Sequence, residues 1–398
     1  MKMNITPRIK GFLCTTAHPL GCAKDVMDQI AYVKKTGNFK SGPSRVLVIG
    51  ASGGYGLASR ISAAFGFQAS TIGVFYERPA HNKRTASPGW YKSAAFTREA
   101  LGNDLYVGNI NGDAYSDEVK SRTIQLIKRD LGKVDMVVYS LAAPQRTLQD
   151  GTVLRSVLKP IGRAFSGVTI DINTAKIRPV RLEPATDNEI TDTVKVMGGE
   201  DWELWIKALM EADVLARGCI TTNYTYLGSE ATWPIYNHGT IGKAKEDLDR
   251  AASLLDTKLS SLGGTAKVAV MKGLLTSASS AIPGMALYLS LLFKAMKQAG
   301  SHEGCIEQTT RLYSSELFGE GDMATDDAGR IRMDRWELAS DIQAYVTNNW
   351  SKVTDSNLKE LTDFDGYQNA FLKLHGFGFP DVDYSAEVSP SMEMVLVN

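Results

Sequence analysis

Val46-Leu47-Val48-Ile49-Gly50-Ala51-Ser52-Gly53-Gly54-Tyr55-Gly56 is the stretch whose reading decides the fold. Its first four residues form a short apolar, largely β-branched run, the pattern of a buried strand, and glycine follows at once. From Tyr55 to Phe65 small and apolar residues recur at helical spacing, with Gly66 as the expected stop. A strand that passes into a helix through glycines offers unpaired backbone N–H groups and the positive end of the helix dipole, which suit the pyrophosphate of a dinucleotide. Side chains would block that approach. Gly50, Ala51, Ser52, Gly53, Gly54 and Tyr55 are therefore the expected cofactor turn, although glycines alone are equally compatible with a merely tight turn.

Outward from this turn, residues 71–77, 105–110 and 134–139 read as further strands, and 116–131 as a helix. Strand alternating with helix means a parallel sheet. Residues 140–183 are rich in loop signals. Helical patterning resumes at 188–196 and 201–216, then 220–226 reads as a strand, 243–262 as a helix, 266–271 as a strand and 285–299 as a helix. The expected fold class is α/β, a Rossmann-type doubly wound parallel sheet with extra helices. No repeat, low-complexity tract or flexible linker divides the chain, so residues 1–398 are expected to form one enlarged domain with an N-terminal leader and helical substrate-binding additions.

Composition narrows the function classes. With 398 residues, 43% hydrophobic and 22% charged, the chain is neither disordered nor fibrous. Lys+Arg 44 balance Asp+Glu 44, so no global field draws nucleic acid or an anionic membrane, and neither is an expected partner. Cys14, Cys22, Cys219 and Cys305 form no CxxC pair or disulfide framework, and the N-terminus lacks the apolar run of a secretory signal; a cytoplasmic location is expected. The uncharged stretch 273–293 is broken by Thr276, Ser277, Ser279, Ser280 and Pro283-Gly284, which suits a strand end, a loop and a core helix better than a membrane span. His302-Glu303 begins no zinc motif, because HExxH would require His where Ile306 stands, and no metal is expected. Trp202 and Trp205 fit an amphipathic helix without any ligand.

Glu77 stands 21 residues beyond Gly56, close to the offset of a carboxylate that binds an adenosine ribose. Such a group accepts hydrogen bonds from the ribose hydroxyls and repels a 2′-phosphate, favouring NADH (NAD) over NADPH, with Arg78 partly offsetting the repulsion. Tyr76 beside it joins the expected cofactor set. Asp113 and Ala114 follow the third strand at the adenine edge, and Leu141 and Ala142 follow the fourth along the cofactor; both stretches also pass as ordinary loop chemistry.

The spacing Gx3GxG resembles short-chain dehydrogenase/reductase proteins, in which a Tyr and a Lys one helical turn apart do the acid chemistry. None of the 15 tyrosines here has Lys four residues later. The chain offers Tyr236 and Lys245 at Tyr-x8-Lys spacing. On a straight helix these would point to opposite sides, so they converge only if Tyr236 precedes the helix, and Asn237-His238-Gly239 supplies a break. The pairing makes chemical sense, since a tyrosine of pKa near 10 is a reluctant donor and an ammonium stabilises its phenolate. Lys245 would also bind the nicotinamide ribose, leaving Tyr236 to meet a substrate carbonyl.

Ala17-His18-Pro19, the glycine turn, Asn111-Gly112-Asp113-Ala114, residues 194–202, Tyr236 with Lys245, and residues 302–308 together resemble, over essentially the full chain, the trans-2-enoyl thioester reductases: type V bacterial enoyl-acyl-carrier-protein reductases and their trans-2-enoyl-CoA reductase relatives. The resemblance implies a monomeric enzyme of fatty acid biosynthesis that reduces the α,β double bond of enoyl-CoA or enoyl-acyl-carrier protein with NADH. It implies catalytic Tyr236 and Lys245, substrate-contacting Tyr226, and Gly273, Leu274, Leu275 and Thr276 as a cofactor-lining turn. Residues 277–293 suit the acyl pocket. Lys294, Lys297 and Arg311 are candidates for a basic rim facing an acidic carrier. Which carrier brings the acyl group stays open, as do two rival functions: a carbonyl reductase using the same tyrosine, and a non-catalytic NAD sensor.

Overall fold

The computed structural model describes residues 2–397 apart from 12, 38 and 40. Its centre is a parallel sheet of β1 (Arg45–Ile49), β2 (Ser70–Phe75), β3 (Val107–Asn111), β4 (Val134–Tyr139), β5 (Leu215–Thr225), β6 (Thr265–Val270) and β7 (Ile331–Arg332). The spatial order is β7-β6-β5-β4-β1-β2-β3, the doubly wound arrangement, with the order reversing between β1 and β4. Val46–Ile49 lie in register with Thr71–Val74 on one side and Met136–Tyr139 on the other. The apolar runs follow from this, because a strand covered on both faces has no polar side to show.

Two helical layers cover the sheet. The longer helices are α1 (Pro19–Thr36), α2 (Gly54–Phe67), α3 (Pro88–Leu101), α4 (Asp117–Leu126), α5 (Asp187–Met197), α6 (Glu200–Glu211), α7 (Thr240–Leu259), α8 (Met285–Gln298), α9 (Cys305–Arg311), α10 (Ser340–Trp350) and α11 (Phe364–Leu374). Leu47 and Ile49 face Trp202, Trp205, Leu248 and Leu255 of α6 and α7, whereas Val46 and Val48 pack with Ala63 of α2 and Tyr313. Alternate residues of one strand thus build opposite cores. A further core joins α8, α10 and α11 to Ile170 and Ile172 beside an antiparallel pair, Phe165–Asp171 with Lys176–Leu182. It touches Tyr226 and Leu275, which follow β5 and β6, so it sits at the sheet's carboxyl end.

The elements differ from the sequence expectation at definable points. Gly66 does not stop α2; a side chain there would strike the Phe39 ring at 2.8 Å, and the left-handed cap falls to Gln68 instead. The pattern at 201–216 splits after Glu211, where Asp213 turns with φ 54°, and β5 begins at Leu215. Glu77 lies just past β2 rather than within it. Residues 140–183 hold two short antiparallel pairs, and β7 has only two residues, too few to show a period.

Beneath the carboxyl end of the central strand β4, Lys120 bonds Asp201 at 2.9 Å and the Tyr139 hydroxyl donates to the other carboxylate oxygen at 2.9 Å, all three groups being buried. Burial pushes the Asp201 pKa up, and Lys120 opposes that push. Lys120→Ala leaves the carboxylate without its cation and is expected to cost about 3 kcal/mol in urea unfolding. The loss should deepen as pH rises above the ordinary carboxylate range, because the folded state then holds a proton that the unfolded chain releases.

Candidate active site

Gly50 has φ +86°, and a Cβ there would lie 2.1 Å from the Ser140 carbonyl oxygen; one on Gly56 would lie 2.0 Å from the Gly50 carbonyl oxygen. Only glycine permits these approaches. Gly50 and Ala51 both donate to the Val74 carbonyl, at 2.9 and 3.0 Å, which ties the turn to β2. α2 then starts at Gly54 behind Gly53, with no side-chain cap and no acidic residue in its first turn. Its amide end is left for an anion, so the residues present fit a dinucleotide pyrophosphate.

Ser52 and Glu77 meet beside this turn, the serine hydroxyl donating to Oε1 at 2.7 Å. Asn111 fixes the Glu77 backbone from both sides, accepting from its N–H at 2.8 Å and donating to its carbonyl at 2.9 Å. A Cβ on Gly89, at the start of α3, would lie 2.0 Å from the carboxylate, so that helix end closes against Glu77. Tyr76 is 80% exposed. Asp113 accepts from the Tyr115 N–H at 3.0 Å, and the carbonyl of buried Ala114 accepts from Trp205 Nε1 at 3.0 Å and Lys120 Nζ at 3.1 Å. Leu141 is half-buried and Ala142 exposed, both directly behind Ser140 at the turn.

Tyr236 lies ahead of α7, with Gly239 as that helix's cap, so the break is where the spacing requires it. Its N–H donates to the Thr232 carbonyl at 3.0 Å and its carbonyl accepts from Gly242 at 3.1 Å. The side chain is buried, its ring 5.0 Å from that of Tyr226 and edge-on, and its hydroxyl has no hydrogen-bond partner among the described residues. Burial alone raises its pKa. Lys245 is half-buried in the second turn of α7; burial pulls it down to about 8 against the opposing pull of Asp249, and it too has no hydrogen-bond partner among the described residues. No charged group contributes to the Tyr236 shift, so the influence on Lys245 that the structure resolves is Asp249 rather than the tyrosine.

The turn after β6 joins the two ends of the site. Tyr55 donates to the Lys272 carbonyl at 3.2 Å, a Cβ on Gly54 would sit 3.7 Å from the Thr276 methyl, and one on Gly273 would sit 3.2 Å from the Tyr226 hydroxyl. Ser279 holds the Leu274 carbonyl at 2.6 Å, and Leu275 is buried behind it. Two buried groups absent from the sequence expectation stand at this junction. Lys272, lowered to about 8 by burial, donates to the Gly273 carbonyl at 3.0 Å, and Glu337 receives the Gly273 N–H at 2.5 Å. The anticipated basic rim is engaged elsewhere: Lys294 donates to the Glu360 carbonyl, Lys297 to Asp363, and Arg311 to Glu303 at 2.7 Å. Trp202 and Trp205 donate to Thr221 and Ala114 inside the core, and no metal-holding cluster occurs among the described residues.

Three family models match in succession: the NAD(P)H binding domain of trans-2-enoyl-CoA reductase over residues 4–82, the trans-2-enoyl-CoA reductase catalytic region over 84–318, and an enoyl reductase FAD binding domain over 325–388. The last stretch does not fit a flavin dinucleotide. Its helices α10 and α11 open with Asp341 and Asp365, the Gly366 N–H is taken by the Asp363 carboxylate at 3.3 Å, and these carboxylates repel a diphosphate. The cleft between α8 and α11 holds about 250 Å³, below the range of ligand pockets. The enoyl-acyl-carrier-protein reductase (NADH) of Tolumonas auensis is 54% identical over 396 residues, covering 99% of this chain and 100% of the relative. That of Vibrio cholerae is 52% identical over 399 residues, covering all of both. Among solved structures, the trans-2-enoyl-CoA reductase of Clostridium acetobutulicum in complex with NADH superposes with TM-score 0.96 at 42% identity, covering 98% of each chain. The Treponema denticola enzyme in complex with NAD gives TM-score 0.95 at 47% identity, covering 99% of this chain and 100% of that one. With the catalytic-region model spanning more than half its length and these relatives matching end to end, the chain belongs to the trans-2-enoyl-CoA reductase family.

Proposed function

We propose that in this chain, an NADH-dependent reductase of trans-2-enoyl thioesters, Tyr236 is the hydroxyl that meets the thioester oxygen and Lys245 the group that holds the nicotinamide ribose. The observation that carries this is Tyr236, a buried side chain whose hydroxyl has no hydrogen-bond partner among the described residues, beside Tyr226 at the carboxyl end of the sheet. Bound NADH supplies a hydride to the β-carbon of the enoyl group. The negative charge then gathers on the thioester oxygen, where a Tyr236 hydrogen bond strengthens as the transition state forms. Its raised pKa keeps that proton in place at neutral pH, available for donation. Tyr226, Gly273, Leu274, Leu275 and Thr276 line the acyl and nicotinamide sides, and Gly50 to Tyr55 with Glu77 hold the adenosine half.

The same reading takes the whole chain as one domain, supported by a sheet that draws β1 and β2, β3 to β6, and β7 from the three matched stretches. A cytoplasmic monomer is the working state: the four cysteines are all free and no helix among the described residues is long and apolar enough to cross a membrane, while the monomer follows the family resemblance. Either coenzyme A or an acyl-carrier protein brings the substrate.

Three measurements test this reading. With a short trans-2-enoyl-CoA, Tyr236→Phe should lose about 100-fold or more in kcat while NADH binding, followed by fluorescence, persists; loss of binding instead would remove the tyrosine from the chemistry. Glu77→Gln should cut the NADH-over-NADPH ratio of kcat/KM about tenfold, because the charge that repels a 2′-phosphate is gone. As pH rises through about 8, Lys245 gives up its proton and kcat/KM for NADH should fall. In Lys245→Arg that alkaline step should shrink, whatever the absolute rate, since a guanidinium stays charged and only Lys272 still titrates near 8.

A further inference from the structure

The buried carboxylate of Glu337 is the meeting point of three donors. Tyr226 donates its hydroxyl proton to Oε1 at 2.8 Å, Tyr288 donates to the same oxygen at 2.5 Å, and the Gly273 N–H donates to Oε2 at 2.5 Å. Gln343 closes the cluster, donating to the Glu337 carbonyl at 2.7 Å and to the Tyr288 hydroxyl at 3.3 Å. Lys272 lends positive charge from the end of β6, and Glu337 itself is 0% exposed. A phenol has one proton to give. With that proton spent on Glu337, Tyr226 offers the pocket only its lone pairs, and its ring is held edge-on to Tyr236.

Taking the reductase reading above as its basis, we infer that Glu337 is a positioning residue of this site: it takes the Tyr226 proton and anchors Gly273, so that Tyr236 rather than Tyr226 donates to the thioester oxygen. One carboxylate thereby sets the substrate wall and the nicotinamide wall together. It comes from residues 325–388, the stretch whose family description names a flavin. At this site that stretch acts by bracing Tyr226 and Gly273.

Glu337→Gln separates this role from simple support. The carboxamide oxygen still accepts from Gly273, but the NH2 now faces the two tyrosines and reverses the Tyr226 hydrogen bond, freeing its proton to compete with Tyr236. The expected result is a kcat about 10- to 100-fold lower with trans-2-enoyl-CoA, at an NADH Kd within about twofold of wild type. In a Tyr226→Phe background the same substitution should cost less than about threefold, because the proton at issue is gone. Losses that simply add, or a Glu337→Gln kcat within about twofold of wild type, would overturn the inference. Should the glutamine variant fail to fold, Glu337→Asp keeps the charge but withdraws it by one methylene: a lowered kcat that Tyr226→Phe renders silent supports the inference, and an unchanged kcat overturns it. No turnover by the wild type with enoyl-CoA or enoyl-carrier substrate would overturn the reductase reading, and this inference with it.

Discussion

Where β1 ends, backbone lies directly on backbone: Gly50 against the Ser140 carbonyl that follows β4, and Gly56 against the carbonyl of Gly50. This contact has no space for a side chain, and the rest of the site depends on it. It lets α2 begin with only four residues between it and β1, its amide end at the point where the strand order reverses. At that point the connections leave in opposite directions and open a crevice. The second requirement is that nothing in the protein neutralises the helix end. Gly53 caps without a side chain, and the Glu77 carboxylate accepts from Ser52 while Asn111 holds its backbone.

The reacting end is built on a different principle. The cofactor half uses backbone and needs little beyond the sheet. The other half uses side chains, and those are held by elements added to the sheet: the Tyr236 segment, the turn after β6, α8, and the stretch from β7 to α10. Desolvation is the common influence there. It raises Tyr226, Tyr236, Tyr288 and Glu337 and lowers Lys245 and Lys272, so each group resists taking charge. A carboxylate in such surroundings is tolerable only when several donors converge on it, and Glu337 has three.

The glycine turn and its strand–helix setting were legible in the sequence because their constraints are local. Gly50, Gly54, Gly56 and Glu77 act within one βαβ unit, and spacing alone relates them. The Tyr236 break was legible too, since geometry forbids Tyr-x8-Lys on one straight helix and Gly239 marks where the helix starts. Glu337 was not. It meets Tyr226 across 111 residues of chain and stands just after a three-residue helical turn, Asp334–Trp336, with no period to mark it. Gly66 misled for a related reason: a glycine demanded by a neighbouring ring, here Phe39, has the same letter as one that ends a helix. The bonds of the lysines expected at a carrier-facing rim were not legible, because the Glu360 carbonyl and the Asp363 carboxylate are brought beside them only by folding.

Tyr236 and Lys245 share a property that bears on the rival readings. Neither side chain has a hydrogen-bond partner among the described residues, Tyr236 being buried and Lys245 half-buried. No bond within the described residues uses either group in the free protein. The arrangement becomes favourable only when a ligand brings acceptors: ribose hydroxyls for an ammonium, and an oxygen gathering negative charge for a phenol. A sensor needs the first alone. The second serves a reaction in which charge moves onto oxygen, and its strength is greatest when that charge is greatest, which is the condition for lowering a barrier rather than deepening a bound state.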